Sequence, residues 1–183
     1  MLFCFNIELT EKDHYEFCKF INIKSFYGKK GVAFYRILLS VLVALAIVVS
    51  FLFAGFTART ITDAMYYCML LILYQIIIIP FIKFCIKFRL KLTKQTGKLS
   101  YSPFAVMEFG ENSFIEILTE ERTERSYSSI ERISIVEEKN IYIHINSMLA
   151  YIIPFAAFEN SMQKEKFIQF LKTKCRNIDW YKE

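Results

Sequence analysis

Glu120, Glu121 and Glu124 gather near a turn, and Glu137 with Glu138 closes a strand, so paired carboxylates stand where acid–base chemistry or divalent-cation binding could be assembled. Arg122, Arg125 and Arg132 interleave with them. Opposite charges alternating on exposed turns predict a surface ion-pair network rather than a catalytic dyad. His144 stands between Ile143 and Ile145 and is expected to point away from the apolar face, exposed and without a nucleophile or an orienting carboxylate beside it. Cys4, Cys18, Cys68, Cys85 and Cys175 form no CxxC pair and show no metal-ligand spacing with His14 or His144, so they read as reduced apolar residues. No GxGxxG, GxxxxGK[ST], GxSxG or HExxH sequence occurs, and five glycines leave little material for a phosphate-cradling loop. The expectation is a protein that is not an enzyme, with no catalytic, cofactor-binding or metal-ligating residue and no cofactor.

The elements that would position any site are dominated by two uncharged stretches, Ile37 to Ala58 and Ala64 to Ile82. They have 22 and 19 residues, and at about 1.5 Å rise per residue each crosses a hydrocarbon core of roughly 30 Å. Lys24, Lys29, Lys30 and Arg36 precede the first. Lys83, Lys87, Arg89, Lys91, Lys94 and Lys98 follow the second, while Arg59 to Asp63 between them holds one Arg and one Asp. The positive-inside rule then predicts a multi-pass protein of the cell (cytoplasmic) membrane with both termini cytoplasmic, a retained first span and a small external loop. Lys29, Lys30, Arg36, Lys83, Lys87, Arg89 and Lys91 are the expected lipid head-group contacts. Ala46, Ser50, Ala54 and Ala58 recur every four residues and predict a helix-packing track, used either within the hairpin or in a homo-oligomer. Gln75 is expected to bond Ser40 or Ser50, and Pro80 to kink its helix near the cytoplasmic end.

Charge divides the chain. Residues 1–98 carry 13 basic and 5 acidic side chains, net +8, and residues 99–183 carry 10 and 13, net −3. The basic excess therefore borders the bilayer and calls for no nucleic acid.

Phe3, Phe5, Ile7 and Leu9 alternate as in a strand over residues 2–9, and Thr10 with Asp13 opens a helix predicted over 11–26 that Gly28 and Gly31 should end. Lys83 to Lys98 fits either a helix or a strand period, and continuity with the second span favours helix. Beyond it, strands are predicted over 104–109, 113–119, 125–128, 131–137, 141–146 and 149–153. A helix over 161–175 is capped by Asn160 with Gln163. The fold class is thus α+β: a two-helix transmembrane hairpin plus a cytoplasmic antiparallel β domain closed by a C-terminal helix. The expected parts are residues 1–33 (strand and amphipathic helix), 34–85 (hairpin), 86–98 (basic juxtamembrane segment) and 99–183 (β domain).

Leu9-Thr10-Glu11-Lys12-Asp13, the two spans, Tyr127-Ser128-Ser129-Ile130, and Ile152-Ile153-Pro154 followed by Phe158 resemble the YcxB-like family of bacterial membrane proteins. In that family a Trp commonly stands at the position of Tyr127 and a basic residue at that of Phe155. The resemblance implies a pleckstrin-homology-like (PH-like) domain over 99–183 and supplies no reaction. The function expected is a membrane-anchored PH-like binding or scaffold module on the cytoplasmic face, with the lipid bilayer and a protein or peptide as partners. The alternative is an oligomeric transport, membrane-stress or bacteriocin-immunity component assembled through its hairpin.

Overall fold

A computed structural model describes residues 2–97, 99, 101–137, 139–147 and 149–182. The chain forms two compact units, one of residues 1–17 with 97–183 and the other of residues 18–96.

Among the described residues the first unit holds eight strands in two sheets. β1 (Phe3–Glu8), β2 (Phe104–Phe109), β3 (Ser113–Ile117) and β4 (Arg122–Ser126) form one antiparallel sheet in that order. β7 (Ala150–Pro154), β6 (Asn140–His144), β5 (Arg132–Val136) and β8 (Ile178–Tyr181) form the other, in which β8 runs parallel to β5. The helix α4 (Ser161–Lys174) precedes β8, so the expected closing helix is not the last element. The sequence does not show β8, because four residues are too few to set a period and each pairs with a residue 45 positions earlier.

Period-2 alternation turns Ile133 and Ile135 of β5, and Ile141 and Ile143 of β6, into a core that also takes Phe5, Ile7, Phe109 and Phe114. The helix Ser161–Lys174 lays Phe167, Ile168 and Leu171 on the same core. Asn160 caps its start, with Oδ1 accepting from the Gln163 amide at 2.8 Å while Gln163 Oε1 accepts from the Glu159 amide at 2.8 Å. Phe167 is fully buried, with ring centroids 4.8 Å from both Phe5 and Phe109.

β1 is the edge neighbour of β2, pairing Phe3 with Phe109 through to Glu8 with Phe104, and the Leu9 amide donates to the Pro103 carbonyl at 2.8 Å. The sequence reading assigned this strand no partner. Everything between Thr10 and Ser102 is therefore inserted between two hydrogen-bonded neighbours of one sheet.

The helix predicted over 11–26 divides into α1 (Glu11–Lys19) and a π-helical turn, Phe20–Lys24. The Thr10 hydroxyl and the Asp13 carboxylate cap α1 reciprocally. Gly28 and Gly31 do not end a helix; they lie in the first turns of α2 (Phe26–Ala54), which Ser25 opens by accepting from the Gly28 amide at 3.0 Å. Gly28 is there for space, because a Cβ would come within 2.3 Å of the Ile21 carbonyl oxygen in the π-turn.

The turn of the hairpin is Gly55-Phe56-Thr57 rather than Arg59 to Asp63. Gly55 takes φ +64°, which glycine adopts without a side-chain clash, and Thr57 forms a capping box with Thr60 that starts α3 (Ala58–Gln95). α3 runs through Pro80 and resolves the 83–95 ambiguity as helix; Lys98 lies outside the described residues.

Candidate functional site

The predicted helix-packing track is not the contact made within the hairpin. Ala58 belongs to α3, Ala46 and Ala54 are exposed, and Ser50 alone of the four is half-buried, its hydroxyl bonded to the Ala46 carbonyl. The half-buried positions of α2 include instead Arg36, Leu39, Ser40, Val43, Ile47 and Ser50, at spacings of three and four; on α3 the buried or half-buried Leu71, Gln75, Ile78, Ile82 and Ile86 follow the same rule. Gln75 Nε2 donates to Ser40 Oγ at 3.4 Å, the partner the sequence suggested. The guanidinium of Arg36 donates to the Gln75 carbonyl at 3.2 Å, which was not foreseen. Eighteen residues separate Arg36 from Ala54 and seventeen separate Gln75 from Ala58, so both stand about 26 Å from the turn. Arg36 therefore joins the two helices instead of standing out with the other head-group candidates. Lys29, Lys30, Lys83, Lys87, Arg89 and Lys91 are exposed, with the Lys30 ammonium 4.1 Å from the Phe26 ring centre.

The carboxylates do not assemble as the sequence suggested. Glu120 and Glu121 are exposed at the β3–β4 turn, while Glu124 accepts from the Ser113 hydroxyl at 2.5 Å. Arg125 Nε donates to the Tyr151 hydroxyl at 2.9 Å, and Arg132 pairs across strands with Asp179 of β8. Burial pushes the Glu116 carboxyl up, partly offset by Arg125. Glu137 is exposed and Glu138 lies outside the described residues. No group of three or more His, Cys, Asp or Glu stands together as metal ligands among the described residues.

Polar chemistry concentrates on the face of the second sheet opposite the isoleucines. Register places Arg132 beside His144, Ser134 beside Tyr142, and Asp179 beside Ser134. His144 Nε2 and Ser134 Oγ are 3.1 Å apart, and Asn140 Nδ2 donates to the Tyr142 hydroxyl at 3.2 Å. His144 does point away from the apolar face, but it is buried, not exposed, and Ser134 is 1% exposed. The Phe17 ring of α1 lies 5.3 Å from Tyr142, and Glu16 pairs with Lys139 at 3.7 Å, so residues outside the β region help to cover this face. Sequence alternation assigned the direction of His144 correctly; its neighbours Ser134 and Tyr142 come from β5 and β6. Ser134 and His144 have nucleophile–base spacing, but both are buried and Asp179 is engaged by Arg132, so the pair acts as a cross-strand hydrogen bond.

Burial, reinforced by the Arg132 charge and offset by Glu131 and Asp179, lowers the His144 pKa from 6.5 to about 4. The unfolded chain then binds a proton that the folded chain refuses between those values. The contribution is fully present above about pH 6.5 and disappears as pH falls toward about 4, on the order of 3 kcal/mol. Urea unfolding measured from pH 7 to pH 4.5 should show that slope, and His144→Gln should flatten it.

Residues 109–171 match the family described as YcxB-like protein. That stretch is similar to the YcxB-like family. The matched stretch runs from the last residue of β2 to Leu171 of α4 and contains β3 to β7, whereas β1 and both long helices lie outside it. No curated protein and no solved structure matches the chain. Inside the YcxB-like stretch, Tyr127 is buried at a short 3-10 turn, and its hydroxyl donates to the Gly110 carbonyl at 2.9 Å. Burial pushes its pKa up to about 12. The Lys174 ammonium stands 5.5 Å from the ring centres of both Tyr127 and Phe170. Tyr127 thereby ties the β2–β3 turn to the entry of β5 and to the end of α4.

Proposed function

We propose that this YcxB-like chain is an integral membrane protein whose hairpin holds a PH-like binding module at the cytoplasmic face, where the module takes a protein or peptide partner. One observation carries the reading: β1 and β2 are hydrogen-bonded neighbours although the whole hairpin lies between them in sequence. Strands of one sheet share one side of a bilayer, so an inserted segment must leave and return, which requires an even number of spans.

Two helices, Phe26–Ala54 and Ala58–Gln95, are long and apolar enough to cross a membrane. Large apolar side chains face outward along them, including Phe53 at 89% exposure and Ile76 at 67%. In water that surface would be a standing aggregation liability, whereas lipid covers it. The lysines at the open end of the hairpin favour the cytoplasmic side for the β unit. Two four-stranded sheets with a helix closing the core support the PH-like assignment. We assign binding rather than catalysis because the residues with nucleophile–base spacing serve packing. The net −3 of residues 99–183 favours a protein or peptide partner over a broadly anionic surface for this unit. Cross-linking in membranes followed by affinity purification tests the proposal. The expected result is a reproducible partner retained by the full chain and lost when residues 99–183 are deleted; no partner in either case would refute it.

A further inference from the structure

The part of α3 that follows Pro80 has a pattern that neither spanning nor packing accounts for. α3 has 38 residues and is about 57 Å long, well beyond the roughly 30 Å of a hydrocarbon core. Phe84, Phe88 and Leu92 lie about 39 to 51 Å from the hairpin turn, so the usual tilts of up to about 40° bring only the start of this stretch to the core boundary.

Beyond Ile82 the helix has two apolar faces. Ile82, Ile86, Leu90 and Thr93 are buried or half-buried against the protein. Phe84, Phe88 and Leu92, at i, i+4 and i+8, are 62%, 53% and 47% exposed, and the rings of Phe84 and Phe88 stack at 6.2 Å. At 100° per residue, Lys83, Lys87, Lys91 and Lys94 fall along one border of this exposed stripe and Arg89 along the other. An apolar stripe bordered by cations is the pattern of a helix lying in a membrane interface, its long basic side chains reaching for head groups.

We propose that the Phe84, Phe88 and Leu92 face is an interfacial anchor that enters the acyl boundary of an anionic inner leaflet while the bordering Lys and Arg residues hold lipid phosphates. The proposal rests on the reading of the hairpin as membrane-spanning and extends it to a lipid preference. Charge selects the occupant. No Asp or Glu occurs from Ala64 to Met107, so a second copy of this helix would bring like charges together, whereas anionic lipid supplies the opposite charge. The stripe also continues from the lipid-facing surface of the span, through Phe81 at 59% exposure. Pro80 lies four residues before Phe84 and has no N–H to donate within the helix, so a bend of the extension toward the surface would fall there at least cost.

The test uses the full chain in vesicles, with Trp180→Phe removing the single tryptophan and Phe88→Trp reporting from the stripe; Phe84→Trp repeats the measurement should one variant misfold. In vesicles of phosphatidylcholine with one third phosphatidylglycerol, the reporter should emit to the blue and be quenched several-fold more by brominated acyl chains than by aqueous iodide. In phosphatidylcholine alone that ratio should fall. Quenching chiefly by iodide in both compositions would overturn the proposal, as would protection from both quenchers, which would mean a protein cover or a second copy. An unchanged ratio between compositions would overturn the anionic preference. Leu70→Trp separates the two readings: lipid quenching there with a solvated Phe88→Trp refutes the anchor alone, and its failure refutes the membrane-spanning hairpin as well.

Discussion

Deleting residues 18–96 and joining Phe17 to Gly97 through a flexible Gly/Ser linker is expected to yield a water-soluble domain that unfolds cooperatively, whereas residues 97–183 alone should fail to fold. The difference lies in β1. Phe5 and Ile7 are 1% and 3% exposed in the shared core, and fully burying side chains of this size contributes about 1.5–3 kcal/mol each. Without them β2 becomes an open edge and Phe109 and Phe167 lose a ring partner. A loss of about 3–6 kcal/mol is comparable to the whole stability of a small domain, about 5–15 kcal/mol. Closing the new linker is cheap, since each doubling of loop length costs only about 0.6 kcal/mol. Dispersed amide resonances from the joined unit, and their absence from residues 97–183, are the expected observation. A folded 97–183 fragment would show that β1 is dispensable.

Phe167→Ala is expected to cost about 3–5 kcal/mol, the largest effect of any single substitution considered for this fold. The ring is 0% exposed and lies against Phe3, Phe5, Phe109 and Phe158, with centroids 5.3, 4.8, 4.8 and 5.7 Å away. Those neighbours come from β1, β2 and the segment before α4, so no single element can move inward to fill the cavity. Met162→Ala, on the same helix but 64% exposed, should change stability by no more than about 0.5 kcal/mol. Denaturant unfolding of the two variants side by side checks the contrast. Equal effects would mean that α4 does not close the core.

Local patterns were legible in the sequence and non-local cover was not. Alternation at Ile133, Ile135, Ile141 and Ile143 located β5 and β6, and the Asn160–Gln163 pair located the start of α4. The hairpin turn was misplaced because charge suggested Arg59 to Asp63, while the backbone obeys Gly55 and the Thr57–Thr60 capping box. Gly28 resembled a helix breaker, yet its role depends on the close approach of the π-turn backbone, which composition does not reveal. The partnership of Arg36 with the Gln75 carbonyl depends on a segment distant in the chain. For the candidate site, the exposed cations of α2 and α3 were readable from charge and position. The polar face of the second sheet was not, because β8 and α1 complete it.

The central claim is that a hairpin inserted between β1 and β2 crosses the membrane and keeps the β unit on one side of it. One-sided labelling of intact cells with a membrane-impermeant maleimide tests that claim most directly, using Phe56→Cys at the 84%-exposed turn and the native Cys4, exposed on β1. The account predicts that Phe56→Cys is labelled in intact cells and that Cys4 is labelled only after the membrane is opened. Labelling of both sites in intact cells, or of neither until lysis, would contradict it.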